Sequence, residues 1–421
     1  MTGSAALKHP CIQDYLTEFV YLENDDLFGR RNTIVEYREI NNKKYLVFVN
    51  EFWTSKQRQA NSLHEIAYRA CFKPQLPRFF IELLTKSADV VYDPFSGRGT
   101  TVIEAALCGR NIIANDINPI SRILTKARLF IPDINALEDR LRSIPFNVGK
   151  KADIDLSMFY HPDTEAEIVS LRDYLREKHE VGTEDELDLW IRMAATNRLT
   201  GHSSGFFSVY TLPPNQAVSQ ESQRKINIKR HSLPEYRNTV EIILRKTRSL
   251  LGDVTPVLSK RLRSASKKAL FLCEDARYTS GIKDDAVQLT VTSPPFLDIV
   301  QYDDDNWLRC WFNSIDVEET GSKITMSKKI EDWCVVMGAV FDELFRITSR
   351  GGHVAFEVGE VRGGSIRLDE HVVPLGLSAG FEVKGIMINE QAFTKTANIW
   401  GVSNNTKGTN TNRIVIFEKP S

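Results

Sequence analysis

DVVYDPFSGRGTTVIEAALCG, residues 89–109, decides the fold. DVVYD (89–93) reads as a short buried strand. The glycine turn SGRG (96–99) follows at once, and a helix is expected from Thr100 to about Leu107, stopped by Gly109. NIIAND (111–116) is a second buried strand. A further helix opens near Pro119, because proline suits a first helical turn. Strand, glycine turn, helix and strand make a βαβ unit, which calls for a parallel sheet.

Upstream, FFIELL (79–84) closes a helix. YREI (37–40), the turn Asn41-Asn42 and KKYLVFVNEFW (43–53) predict a hairpin within an N-terminal extension, residues 1–60. Downstream the alternation halts: residues 131–268 hold helical patterns such as TEAEIVSLRDYLREKHE (164–180) and TVEIILRKTRSLL (239–251), with few strands. The rhythm returns with ALFLCEDA (269–276) and AVQLTVTSPP (286–295). A long helix within 327–347, stopped by Gly351-Gly352, follows, then HVAFEV (353–358), a helical DEHVVPLGLSAG (369–380), FEVKGIMIN (381–389) and RIVIFEK (413–419). Neither block of strands closes a sheet alone. The expected architecture is therefore α/β: one seven-stranded, mostly parallel, Rossmann-like sheet from 61–130 and 269–421, interrupted by a helical insertion, 131–268.

Composition narrows the class. The chain has 421 residues, 42% hydrophobic and 26% charged, with a net charge of −1, so whole-chain charge selects no partner. Cys11, Cys71, Cys108, Cys273, Cys310 and Cys334 form no CxxC pair, so neither a zinc site nor a disulfide frame is expected. MTGSAALKHPCIQDY lacks a basic start followed by an apolar run, and no window approaches ~18 apolar residues; the expectation is a cytoplasmic protein without membrane contact. Charge is uneven locally. Residues 151–190 hold 12 acidic and 4 basic side chains, while 224–268 hold 3 acidic and 13 basic, which favours a polyanionic partner over a merely solvated helix face.

Two segments carry chemistry. In DPFSGRGTT (93–101), Gly97 and Gly99 allow positive φ and close approach of a ligand to the backbone. A dinucleotide fingerprint would need glycine where Val102 stands, and a phosphate loop would need lysine at position 100, where Thr100 stands. Asp116, 19 residues past Gly97, stands where ribose hydroxyls are bound in nucleotide folds. With Asp93 it suits a nucleoside bearing a cationic group better than one bearing phosphates. In VTSPPFLDIVQY (291–302), two prolines end a strand in a stiff corner that presents a hydroxyl, carbonyls and an aromatic ring.

Together these residues resemble the S-adenosylmethionine-dependent methyltransferases that modify exocyclic amino groups of DNA bases. Phe95-Ser96-Gly97-Arg98-Gly99 is similar to their FxGxG cofactor motif, and Ser293-Pro294-Pro295-Phe296 to their catalytic motif. The resemblance implies a class I methyltransferase-like sheet that binds S-adenosyl-L-methionine through Asp93, Phe95, Gly97, Gly99 and Thr100. Asp116 is implied for the ribose and Asp275, in CEDAR (273–277), for the adenine. HEIAYRACFKPQLPRFFIELL (64–84) would supply Phe72, Lys73 and Pro74 near the methionine end. It further implies double-stranded DNA as substrate, a restriction-modification setting with a cognate endonuclease as partner, and target recognition by 131–268. The insertion precedes the Asp275 strand, a small departure from the class it otherwise resembles.

An exocyclic amine is a poor nucleophile because its lone pair is delocalised into the ring. The Ser293 hydroxyl and the Pro294 carbonyl can each accept one of its N–H bonds, while Phe296 stacks on a flipped-out base. Serine at the first motif position leans to cytosine N4. Adenine N6 stays open, as does an RNA base, and a relic DNA-binding fold is a further rival. Tyr302, Trp307 and Trp311 are read either as receivers of the base or as ordinary packing. SSGFFSVYTLPPNQAVSQ (203–220) and NEQAFTKTANIWGVSNNTKGTNTNR (389–413) are read as DNA-facing or plain surface loops.

Overall fold

The architecture comes from a computed structural model that describes residues 11–22, 30–53, 60–68, 71–212, 217–295, 302–323, 329–361, 366–390 and 411–421. The chain begins with helix α1 (Ile12–Glu18) and a small ribbon, β1 (Val20–Leu22) with β2 (Arg30–Asn32). A hairpin follows, β3 (Ile34–Ile40) and β4 (Lys43–Asn50), joined at Asn41 and Asn42 with φ of 50° and 62°. Asparagine tolerates this left-handed region, which a tight hairpin turn demands. Next come α2 (Gln75–Leu84), β5 (Val90–Asp93), α3 (Thr100–Leu107), β6 (Asn111–Asn115) and α4 (Pro119–Lys126). Pro119 does start α4, and the Asn118 side chain accepts the Ile120 N–H at 3.0 Å.

Between β6 and the next strand lie α5 (Ile134–Ser143), α6 (Pro162–Glu180), α7 (Glu186–Thr196), α8 (Gln220–Arg230), α9 (Thr239–Leu250) and α10 (Pro256–Ser266). The chain then gives β7 (Leu270–Leu272), β8 (Val287–Thr292), α11 (Tyr302–Phe312), α12 (Val317–Lys323), α13 (Ile330–Ile347) and β9 (Thr348–Val358). A second ribbon, β10 (Glu360–Val361) with β11 (Ile366–Arg367), precedes α14 (Leu368–Ala379), β12 (Glu382–Glu390) and β13 (Thr411–Glu418).

Nine strands form one sheet in the order β3-β4-β12-β13-β9-β8-β5-β6-β7. From β7 to β12 this is the seven-stranded class I methyltransferase arrangement: parallel, except that β13 runs antiparallel between β9 and β12. The N-terminal segment is not a mere appendage, because β4 pairs in parallel with β12 and β3 completes the edge. Without the hairpin, β12 would present unpaired backbone groups. Gly351-Gly352 also differs from expectation. The helix ends at Ile347, and the glycines form an irregular stretch inside β9, where the Gly351 N–H bonds the Lys419 carbonyl at 2.9 Å.

Each face of the sheet has its own apolar core. One core holds α13 and α14 residues such as Phe341, Leu344, Val372 and Val373. The other runs from α2, α3 and α4 into the helices of 131–268, with Trp190, Ile191 and Ile243, and on to Leu308 and Phe312 of α11. Strand order reverses between β5 and β8, so the crevice beyond their C-terminal ends is where ligands bind in such sheets.

Candidate active site

All eight residues of α3 are buried, an unusual setting for Glu104. Its carboxylate lies 2.6 Å from His64 Nε2 and accepts from Arg78 Nε at 2.7 Å. Burial pushes Glu104 upward, but His64 and Arg78 outweigh it and hold the carboxyl below its usual range. This polar knot fixes the start of 64–84 against the helix behind the glycine turn. Arg98 fixes the same segment from the turn side: its guanidinium donates to the carbonyls of Ile66 (3.0 Å), His64 (3.4 Å) and Phe72 (3.4 Å). The buried guanidinium of Arg128 bridges the carbonyls of Leu124, Leu63 and Arg98. Burial and the neighbouring Arg98 charge push it down to about 9.

The turn itself is tight. Gly97 and Gly99 have φ of 50° and 77°. A Cβ on Gly99 would lie 2.3 Å from Thr125 Oγ1, so α4 packs directly on the turn. Gly97 faces Tyr68, whose ring lies 3.4 Å from where a Cβ would be. The Gly97 N–H donates to Asp116 Oδ2 at 2.7 Å, while Asp116 Oδ1 accepts from the Asn118 N–H at 2.9 Å. Asp116 thus braces the turn and keeps further lone pairs on both oxygens. Burial raises it to about 6.

Asp93, 1% exposed, accepts the Phe95 N–H at 3.1 Å and the Thr292 hydroxyl at 2.7 Å. Burial raises it to about 7, with the Asp116 charge adding to the shift. The Asn115 side chain clamps the adjoining strand end: its amide donates to the Glu274 carbonyl and its carbonyl accepts the Glu274 N–H, each at 2.9 Å. Asp275 comes next, forked onto Arg277 with Nη2 to Oδ2 at 2.6 Å, a contact that lowers its pKa. Among the other positions read from the sequence, the Thr100 hydroxyl is taken by Arg98 Nε at 3.1 Å. Phe95 is partly buried, Phe72 lends its carbonyl to Arg98, Lys73 is exposed and Pro74 caps α2.

The Ser-Pro-Pro corner adjoins this turn. Thr292, the last residue of β8, binds Asp93, and the Thr101 hydroxyl donates to the Val291 carbonyl at 3.0 Å. Segments nearly two hundred positions apart are therefore in direct contact. Ser293, Pro294 and Pro295 follow; Phe296 lies outside the described residues, as do 391–410 and the side chain of Tyr302. Two partners of the corner escaped sequence reasoning. The buried Trp333 donates its indole N–H to the Pro295 carbonyl at 3.0 Å. Glu357 on β9 meets the Ser293 side chain, accepts from Asn412 Nδ2 at 3.1 Å, and is raised by burial. The signal for Glu357 was present: an acid inside the otherwise apolar strand HVAFEV. Trp311 reads as packing, with its N–H on Asp153 (2.6 Å) and Arg172 4.6 Å above its ring. Trp307 lies 6.0 Å from Phe159.

The basic stretch is only partly available. Arg237 donates to the carbonyls of Ser203, Phe206 and Ser208, and Arg261 to that of Leu107, while Arg224 pairs with Asp155 and Lys225 with Glu221.

The family described as DNA methylase matches residues 18–125, from the end of α1 to α4. Over those residues the chain is similar to DNA methylases. Among curated relatives, the type II methyltransferase M.MvaI of Kocuria varians is 27% identical over 154 residues, 36% of this chain and 29% of that protein. M.BsoBI of Geobacillus stearothermophilus is 38% identical over 105 residues, 23% of this chain and 21% of its own. The matches thus span less than a third of these relatives. Among solved structures, a DNA modification methylase from Thermus thermophilus is 21% identical, covering 35% of this chain and 51% of that one, with a TM-score of 0.22. The resemblance of this part of the chain to the S-adenosylmethionine-dependent DNA amino-methyltransferases stands on the family and curated matches.

Proposed function

We propose that the protein transfers a methyl group from S-adenosyl-L-methionine to the exocyclic amine of a base flipped out of double-stranded DNA, at cytosine N4. The observation that carries this reading is the hydrogen bond from Thr292 to Asp93, which seats the Ser-Pro-Pro corner on the glycine turn. The donor set fits the cofactor. Asp93, Asp116 and Asp275 end three adjacent strands, and two of them are raised carboxylates whose charge a cation would relieve. Bound there, S-adenosyl-L-methionine supplies an electrophilic methyl on a positively charged sulfur.

The chain's own groups do the rest. The Ser293 hydroxyl and the Pro294 carbonyl hold the amine hydrogens and direct its lone pair along the attack line. Trp333 holds the Pro295 carbonyl, so the corner cannot relax. On gaining a methyl group the amine would become cationic and would have to lose a proton. Ser293 accepts it while passing its own to Glu357, whose raised pKa suits a proton acceptor. Serine, rather than aspartate or asparagine, at position 293 supports cytosine N4 over adenine N6. The helices of 131–268 would read the target sequence, and a restriction endonuclease of the same specificity would be the partner.

The test is mass spectrometry of nucleosides from DNA of cells expressing the protein, with Ser293→Ala as control. N4-methylcytosine that disappears in the variant supports the reading. N6-methyladenine alone overturns the base assignment, and methylated RNA beside unmodified DNA overturns the substrate class.

A further inference from the structure

We propose that Arg198, Arg245 and Lys246 form a clamp for a DNA backbone phosphate where the helices of 131–268 meet the catalytic face. The clamp rests on the DNA reading above and assigns it a place. The junction is built at residue 67. The Ala67 carbonyl accepts from Asn197, which caps α7, at 3.2 Å and from Arg309 of α11 at 3.0 Å. The next residue, Tyr68, stands over Gly97 of the glycine turn, and the Arg309 guanidinium lies 5.7 Å from its ring centroid. An anion held here is therefore a neighbour of the cleft in which a flipped base would be received.

The side chains are set for one. The Arg198 guanidinium lies 3.9 Å from the centroid of Phe206 and is braced by Asn197 Oδ1 at 2.7 Å, which fixes its plane. Burial, and then the Arg309 charge, push it down to about 10. Lys246 is 8% exposed and pushed down to about 8 by burial and by Arg198. Arg245, one residue earlier and exposed, reaches the Ser204 carbonyl at 2.9 Å. The carboxylate that acts on both Arg198 and Lys246 is Glu65, 3.6 Å from the Lys246 ammonium, half-exposed and shared with the Ser249 hydroxyl.

Cations pressed together in a partly dry junction repel one another, and a phosphate relieves that repulsion. Arginine held flat on a ring is also pre-shaped to bind phosphate oxygens in pairs. Elsewhere in 224–268, Arg237 is committed to three loop carbonyls and Arg261 to another, while Arg224 and Lys225 are paired with surface acids.

The experiment measures duplex DNA affinity across salt concentrations for the full chain and for Arg198→Gln, Arg245→Gln and Lys246→Gln, with Lys225→Gln as control. Loss of one phosphate contact should weaken binding about tenfold at moderate salt and flatten the log–log salt slope by about one. S-adenosylhomocysteine affinity and melting temperature should hold, and Lys225→Gln should change none of these. Should buried Lys246 prove necessary for folding, exposed Arg245 carries the test. Wild type that binds duplex, with all three variants keeping its slope, overturns the clamp alone. Wild type that binds cofactor but no duplex overturns the DNA reading, and the clamp with it.

Discussion

Two neighbouring regions of one face carry opposite charge. At the ends of β5, β6 and β7 stand Asp93, Asp116 and Asp275, the first two held by backbone N–H groups and pushed upward by burial. Across Tyr68, the junction with 131–268 gathers Arg198, Arg245 and Lys246, the two less exposed of them pushed downward. In each region two of the three groups are pushed by burial toward their neutral forms, and the signs of the two regions are opposite. A cationic cofactor on the one side and a polyanionic strand on the other would relieve both. Substitutions on the acidic side should cost cofactor binding and spare DNA affinity, and those on the basic side the reverse.

The largest effect is expected at the turn that carries the acidic region. Gly99→Ala puts a Cβ against Thr125 at a left-handed φ, so stability should fall by about 3 kcal/mol and cofactor binding should be lost. Adding Thr125→Ala should restore only part, because the φ strain remains; full recovery in thermal melts would sink this account. Asp93→Asn comes next. Cofactor affinity, measured by calorimetry, should drop by about a hundredfold while duplex affinity holds.

The same variant tests the electrostatics. Asp93 titrates at about 7 in the folded chain against an ordinary value of 3.8, so its contribution to stability is full below the lower value and is lost as pH rises through the higher. Ligand-free wild type should therefore lose stability relative to Asp93→Asn between about pH 4 and pH 7, with a slope of up to about 1.4 kcal/mol for each step of one in pH. Parallel melting curves for the two proteins would refute a raised Asp93. A third class should touch neither binding event. Ser293→Ala and Glu357→Gln should lower kcat about a hundredfold, with cofactor and duplex affinities preserved. The smallest effect is expected from Trp333→Phe, which removes one hydrogen bond: about 1 kcal/mol of stability and a severalfold lower kcat in single-turnover assays.

How much of this was legible in the sequence depends on the range of the interaction. Local signals were readable: α3 spans Thr100–Leu107 as the glycines dictate, the Asn41-Asn42 turn joins β3 to β4, and Pro119 opens α4. Strand order could be inferred only through family likeness, since a run such as NIIAN does not name its neighbour. Pairing of β4 with β12, over 300 positions away, has no local mark, which is why the hairpin read as an appendage. The candidate site divides in the same way. Gly97, Asp93 and Ser293 sit in motifs, whereas Trp333 and Glu357 reach the corner from α13 and β9 through tertiary packing. The role of individual cations was least legible. Composition counts charges but cannot tell Arg237, committed to three carbonyls, from Arg198, poised on a ring.

The indole bond to Pro295 gives the molecule an internal optical probe. Trp333 is buried, and its N–H ends on the rigid corner itself, so a base settling into the cleft would perturb the dipole around that ring before any chemistry occurs. A difference emission signal between the native protein and Trp333→Phe would then time the arrival of the nucleotide separately from methyl transfer, without any attached dye.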